Sequence, residues 1–149
     1  MYCYDFQIVL QEVPGEVSLC FSISGCPLRC KGCHSTFLWK EGNGFLLSRE
    51  RFENVLNQYK ELATCVLFMG GEWHEEELVK MLKTANNNKY NTCLYTGEEQ
   101  VSNAILNELT WIKTGKWEQS LGGLSCLKTN QKFIDIKTNK ILNHLFIKN

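Results

Sequence analysis

An α/β fold built on a parallel sheet is what this sequence predicts, and three features predict it. Short apolar runs ending in glycine alternate with helix-like segments about three times between residues 49 and 115. The runs themselves, such as 64–69, are apolar throughout, as strands covered on both faces are. The length, 149 residues with 44% hydrophobic and 21% charged, is enough to bury a core. It falls short of the roughly 250 residues an eight-stranded barrel takes, so any barrel-like sheet must be partial.

Taken in order, alternation of Val17, Leu19, Phe21 and Ile23 reads as a strand, and the Pro14-Gly15 turn pairs it in a hairpin with Phe6 to Leu10. Residues 24–44 lose periodicity and gather Gly, Cys and Pro, which reads as a long loop of the kind that carries function. Ser48 is the expected cap of a helix over about 49–61, with Phe52, Val55, Leu56 and Tyr59 on its apolar face. Residues 64–69 form the next strand, stopped by Gly70-Gly71. Glu75, Glu76 and Glu77 suit a helix start by their charge, with Leu78, Val79, Met81 and Leu82 as its apolar face. The Asn86-Asn87-Asn88 run is expected to turn, 92–95 to be a strand ended by Gly97, 101–109 a third helix, and Trp111-Ile112 a short strand before Gly115. Beyond Gly122-Gly123 the pattern weakens to strand candidates at 133–136 and 141–147. With no internal repeat or linker, the whole of 1–149 reads as one domain, with a loop at about 24–39 and an irregular C-terminal segment at about 117–149. In such folds ligands sit at the carboxyl ends of the strands, here the tips at 24–39, 70–73, 95–97 and 113–116.

Charge and composition exclude several classes. Sixteen basic residues against sixteen acidic ones leave no basic excess for a phosphate backbone, so nucleic acid is not expected as a partner. Met1 to Leu10 lacks a basic segment ahead of a long apolar core, and no stretch approaches the roughly 20 apolar residues of a membrane span. The expectation is a cytoplasmic protein with no membrane partner. Eight cysteines fit a disulfide framework in a small secreted chain, but three crowd into residues 26–33 and the others are scattered through apolar runs, which suits a reducing compartment and a metal site.

Cys26, Cys30 and Cys33 follow a Cys-x3-Cys-x2-Cys pattern on a loop containing Gly25, Pro27 and Gly32. A loop can wrap three thiolates round one centre, and thiolates at that density select zinc or an iron–sulfur cluster. Structural zinc takes a fourth Cys or His ligand. His34 is adjacent to Cys33, and adjacent residues rarely ligate one tetrahedral ion without strain; no second Cys-x2-Cys pair exists. Three ligands on a four-iron cluster would leave one iron open to an external ligand. The plain alternatives are unliganded loop cysteines and a zinc-stabilised module. An electron carrier normally closes its cluster with four cysteines, against the triplet here. Cys20, Cys65 and Cys93 lie in predicted strands and read as small core residues, while Cys3 and Cys126 have no assigned role.

The triplet after the first strong strand resembles the radical S-adenosylmethionine superfamily. Further stretches narrow the likeness. Val13 to Leu19 leading into Ser24-Gly25-Cys26-Pro27-Leu28-Arg29-Cys30-Lys31-Gly32-Cys33-His34-Ser35, Phe68-Met69-Gly70-Gly71-Glu72-Trp73, Leu94-Tyr95-Thr96-Gly97, Lys113-Thr114-Gly115-Lys116, and Leu121-Gly122-Gly123-Leu124 with Thr129-Asn130-Gln131 resemble the short activating proteins of anaerobic, class III ribonucleotide reductase. The resemblance implies a partial, open (β/α) barrel-like parallel sheet with the cluster loop at the carboxyl end of the first strand. It implies a [4Fe-4S] cluster on Cys26, Cys30 and Cys33, and S-adenosylmethionine on the open iron. The reaction it implies is reductive cleavage to a 5′-deoxyadenosyl radical that installs a glycyl radical on the large reductase subunit. An electron donor such as a flavodoxin would supply the cluster.

Gly70, Gly71 and Glu72 match the superfamily's Gly-Gly-Glu motif, which contacts the methionine amino group, and Tyr95, Thr96 and Gly97 end the next strand at the same mouth. Gly70-Gly71-Glu72 as a helix-initiating turn and Thr96 as a helix cap are the local alternatives. Many members carry an aromatic residue just before the third cysteine, near the adenine; Gly32 stands there instead, which passes that contact to His34 or Phe37. Asp135-Ile136-Lys137 looks like a motif of larger activases but falls in the terminal segment, and we read it as coincidence. Another small radical S-adenosylmethionine enzyme, such as a different glycyl radical activase or a deazaguanine-forming synthase, is the alternative within the superfamily.

Overall fold

Why the apolar runs make a sheet is visible in how they are covered. The computed structural model describes residues 1–33 and 35–147. Its strands are β1 (Tyr2–Leu10), β2 (Val17–Ile23), β3 (Phe45–Leu46), β4 (Cys65–Met69), β5 (Asn91–Tyr95), β6 (Trp111–Thr114), β7 (Lys132–Asp135) and β8 (Lys140–Ile141). They form one open eight-stranded sheet in the order β3-β1-β2-β4-β5-β6-β7-β8. β2, β4, β5 and β6 are parallel. The flanking β1, β3, β7 and β8 pair antiparallel, so the expected parallel sheet is a mixed one. β1 and β2 pair antiparallel because the Pro14-Gly15 turn joining them is too short for a crossover.

Helices α1 (Arg49–Gln58), α2 (Glu75–Asn87) and α3 (Asn103–Leu106) bury one face of the sheet. There Phe52 and Leu56 of α1 and Leu78 and Leu82 of α2 join Phe21, Val66, Phe68, Leu94 and Ile112 from the strands. Among the described residues no α-helix lies on the opposite face. Its residues, Cys20, Cys65, Leu67 and Cys93, are covered by Val13 of the first hairpin and by Phe133, Leu142 and Phe146 of the C-terminal segment. Both faces of β4 are thus dry, which is why its run does not alternate. Cys20, Cys65 and Cys93 are core residues, as expected, and Cys3 is buried in the core on the helix-covered face.

Local chemistry sets the element ends. Ser48 caps α1, its side chain accepting from Arg51 N at 3.1 Å. Several boundaries differ from expectation, and three of them have a visible cause. The third helix ends at Leu106, because the Glu108 carbonyl accepts from Asn86 Nδ2 (2.9 Å) and Thr92 Oγ1 (2.6 Å). The Asn86–Asn88 turn starts later, since α2 runs to Asn87 and Asn88 Nδ2 donates to Thr84 O at 2.7 Å. The segment 141–147 is mostly a 3₁₀ turn (Asn143–Phe146), as the Asn143 side chain replaces a strand partner. It accepts from Phe133 N at 2.8 Å and donates to Gln131 O at 2.9 Å. Among the described residues no helix is long and apolar enough to cross a membrane.

Candidate functional site

The parallel strands β2, β4, β5 and β6 all point their carboxyl ends to one edge, and the cysteine loop lies there. It leaves β2 at Ser24 and folds back on itself: Gly25 N and Cys26 N both donate to Leu38 O, at 2.6 and 2.9 Å. Ser24 Oγ donates to Asn43 O, and Asn43 Nδ2 to Phe37 O at 2.7 Å, which closes the far end of the loop. Within it, Cys33 N donates to Cys30 O at 3.1 Å and Ser35 N to Cys33 Sγ at 3.3 Å.

The loop is fastened to the strand tips by side chains. Trp73, just after β4, donates its indole Nε1 to Ser24 O at 3.3 Å, and His74 Nε2 lies 3.3 Å from Glu41 Oε1. The Leu28 side chain packs so closely on Gly97, after β5, that a side chain there would strike it. Gly32 faces the segment after β6: a Cβ at that position would stand 3.3 Å from Gln119 Oε1 and 3.7 Å from Trp117 Nε1. An aromatic residue at Gly32 would have to displace them.

Cys26, Cys30 and Cys33 are half-buried free thiols. Burial raises the Cys26 thiol pKa, with hydrogen bonding from the Leu28 backbone opposing. Among the described residues no three His, Cys, Asp or Glu side chains are gathered into a metal-holding group, so the fold brings the three cysteines to one loop without converging their sulfurs. The donor set fits an iron–sulfur group in its chemistry: three soft thiols on one loop, one of them already accepting a backbone amide. His34 lies outside the described residues.

The neighbouring tips complete the mouth. Gly70 N donates to Tyr95 O at 2.9 Å, tying the end of β4 to the end of β5. Gly70 and Gly71 have φ of 82° and 109°, a region that side chains other than glycine's enter only with strain. A Cβ at Gly71 would stand 3.3 Å from Ile23 Cγ1 at the end of β2. Glu72 accepts from Thr96 Oγ1 at 2.6 Å, and its other oxygen, Oε2, is buried without a partner. Burial raises the Glu72 pKa, and the Thr96 bond and, more weakly, the Lys113 charge oppose that rise. Tyr95, Thr96 and Gly97 therefore do stand beside Gly70 to Glu72, as expected of two adjacent parallel strands.

Lys113, at the end of β6, was marked in the sequence only as part of a strand tip. Its ammonium stands over the Tyr95 ring, 5.4 Å from the centroid. Burial lowers its pKa, while the fields of Cys30, Cys93 and Glu72 hold it up. The signal that could have found it is a cation at the carboxyl end of a parallel strand. Lys113 and Tyr95, with Glu12, Gln131, Leu124 and Phe146, line a cavity of about 250 Å³ on the face of the sheet opposite the α-helices. Another cavity, of about 430 Å³ between β3, α1 and α2, has none of the loop cysteines in its wall.

A family model described as a 4Fe-4S single cluster domain matches residues 13–135, from the first hairpin to the end of β7. No curated protein and no solved structure matches the chain significantly.

Proposed function

The chain belongs to the 4Fe-4S single cluster domain family, and from that premise we propose that it is a radical S-adenosylmethionine activase for the large subunit of an anaerobic ribonucleotide reductase. One observation carries the reading. A loop with three thiols is fastened by Trp73 and Leu28 over the strand tips that hold Gly70, Gly71, Glu72 and Thr96.

Cys26, Cys30 and Cys33 would hold the cluster. When bound, the cluster supplies one electron and an open iron for S-adenosylmethionine, whose cleavage yields methionine and a 5′-deoxyadenosyl radical. The chain's own residues position that cofactor. The Gly70-Gly71 turn, whose Cβ positions are filled by Trp73 and Ile23, would present its carbonyls to the ammonium group. Glu72, held by Thr96, adds a negative charge beside that ammonium; Lys113, seated over Tyr95, adds a positive one for the carboxylate. Gly32 precedes the third cysteine and Phe37 follows it on the side assigned to the adenine, with the Phe37 and Tyr4 rings tilted and their centroids 4.6 Å apart. The sheet is open, so no ring of strands encloses the mouth, which suits a radical acceptor that is itself a protein.

The test is anaerobic. Cluster-loaded protein with dithionite and S-adenosylmethionine should release methionine and 5′-deoxyadenosine, and adding the cognate reductase should give a glycine-centred doublet by electron paramagnetic resonance. Cofactor cleavage without that doublet would remove the activase assignment and leave the radical enzyme; no cleavage at all would remove both.

A further inference from the structure

The cysteine loop separates two concavities of opposite charge. On one side an open cavity of about 660 Å³ is lined by Leu28, Arg29, Cys30, Lys31, Lys116 and Trp117, with Glu118 the one carboxylate in its wall among the described residues. On the other side a cavity of about 240 Å³ is lined by Pro27, Trp73, Glu72, Glu75 and Glu98, with no basic residue among those described. Arg29, Lys31 and Lys116 are all exposed, in a chain whose formal charge is zero. The separation of charge is therefore local to the two flanks of this loop.

The basic flank is held in place. The Arg29 guanidinium stands over the Trp39 ring, 5.4 Å from its centroid. The Lys116 backbone lies against Gly97 at the end of β5, and its carbonyl accepts from Asn130 Nδ2 at 3.1 Å. Cys30 is itself part of the wall, so an occupant of this concavity lies beside a residue of the triplet.

We propose that the basic concavity beside Cys30 is the docking surface for the electron donor, an acidic protein carrying a one-electron flavin or iron–sulfur group; this rests on the function proposed above. Two physical reasons converge there. Electron transfer between proteins falls steeply with distance, and a donor seated against Cys30 ends one residue from the cluster. Complementary charge steers encounter and sets orientation, and here it attracts an acidic face to the Cys30 flank while Glu72, Glu75 and Glu98 repel it from the Pro27 flank. The step balances simply: the donor's reduced cofactor loses one electron, the cluster gains it, and no bond or proton moves.

The experiment titrates cluster-loaded protein with a purified acidic flavodoxin by calorimetry, at low and at high salt, with a basic cytochrome c as the cationic comparison. Flavodoxin should bind at low salt and weaken as salt rises, and cytochrome c should not compete. The double variant Lys31→Glu/Lys116→Glu should bind flavodoxin about tenfold more weakly with a flatter salt dependence. Its cluster absorbance should match the wild type, because both lysines are exposed and neither is a cluster ligand. Glu75→Lys, on the opposite flank, should leave the affinity unchanged or raise it. Wild-type affinity in the double variant, an equal loss in Glu75→Lys, or tighter binding of cytochrome c would overturn the docking assignment while dithionite-driven cleavage kept the enzymatic reading alive. Loaded protein that fails to cleave the cofactor even with dithionite would remove the enzymatic reading, and the docking assignment with it.

Discussion

Thr96 donates its hydroxyl proton to the Glu72 carboxylate across 2.6 Å, and the same hydroxyl oxygen accepts from Glu98 N at 3.0 Å. Thr96 is only 2% exposed, so this pair joins the tip of β5 to the turn after β4 from inside the protein. Glu72 is pushed toward its protonated form by burial and held back mainly by this bond. The bond from its neighbour on the next strand thus favours the charged form of this carboxylate against burial.

Thr96→Val should therefore leave a buried carboxylate with neither oxygen bonded by a side chain, at a cost of about 1–3 kcal/mol in urea unfolding at neutral pH. Thr96→Ser, which keeps the hydroxyl, should recover most of it. Equal stability of Thr96→Val and wild type would show that the bond contributes nothing.

Replacing Cys26, Cys30 or Cys33 by Ala should abolish the brown absorbance of reconstituted protein and cofactor cleavage together. Cys65→Ala and Cys93→Ala, whose side chains are fully buried in the core, should keep the cluster and lose about 1–3 kcal/mol of stability. A Cys30→Ala protein with normal iron, sulfide and turnover would sink the ligand assignment.

Gly71→Val places a branched side chain at φ 109° and 3.3 Å from Ile23 Cγ1. The strain should cost about 1–3 kcal/mol. Cofactor affinity, measured by equilibrium binding, should fall while iron and sulfide content stays normal. Wild-type affinity would move the amino-group site from the β4 tip to Tyr95–Gly97.

Alkaline pH should unfold the protein through its core thiols. Burial pushes Cys65 and Cys20 up to about 12 from 9.0. A folded-state pKa raised above the unfolded one means the unfolded chain gives up its proton first. The stabilisation is therefore complete below pH 9 and is lost between about pH 9 and 12, at about 1.4 kcal/mol per pH unit for each thiol. Melting temperature against pH should fall in that window, and Cys65→Ala should make the fall shallower. A parallel curve for the variant would show that Cys65 does not drive it.

What the sequence by itself determined is what short-range chemistry decides. The continuous apolar runs ending in glycine mark β4 and β5 because strands covered on both faces need no polar alternation, and the Ser48 cap marks α1 because it serves a donor three residues on. Cys26, Cys30 and Cys33 are legible as a set because they share one loop. The tertiary structure alone decided what covers the second face of the sheet, where Phe133 and Phe146 from the C-terminal segment do the work of helices. It also decided where α3 stops, since the bonds that draw off the Glu108 carbonyl come from Asn86 and Thr92, distant in sequence. The same holds at the mouth. Trp73 reaches Ser24 across 49 positions, and Lys113 acquires its setting from Tyr95, Cys30 and Glu72 on three other segments. A spacing pattern records neighbours along the chain, whereas charge, burial and hydrogen bonding at a strand tip depend on residues that only the folded sheet brings side by side.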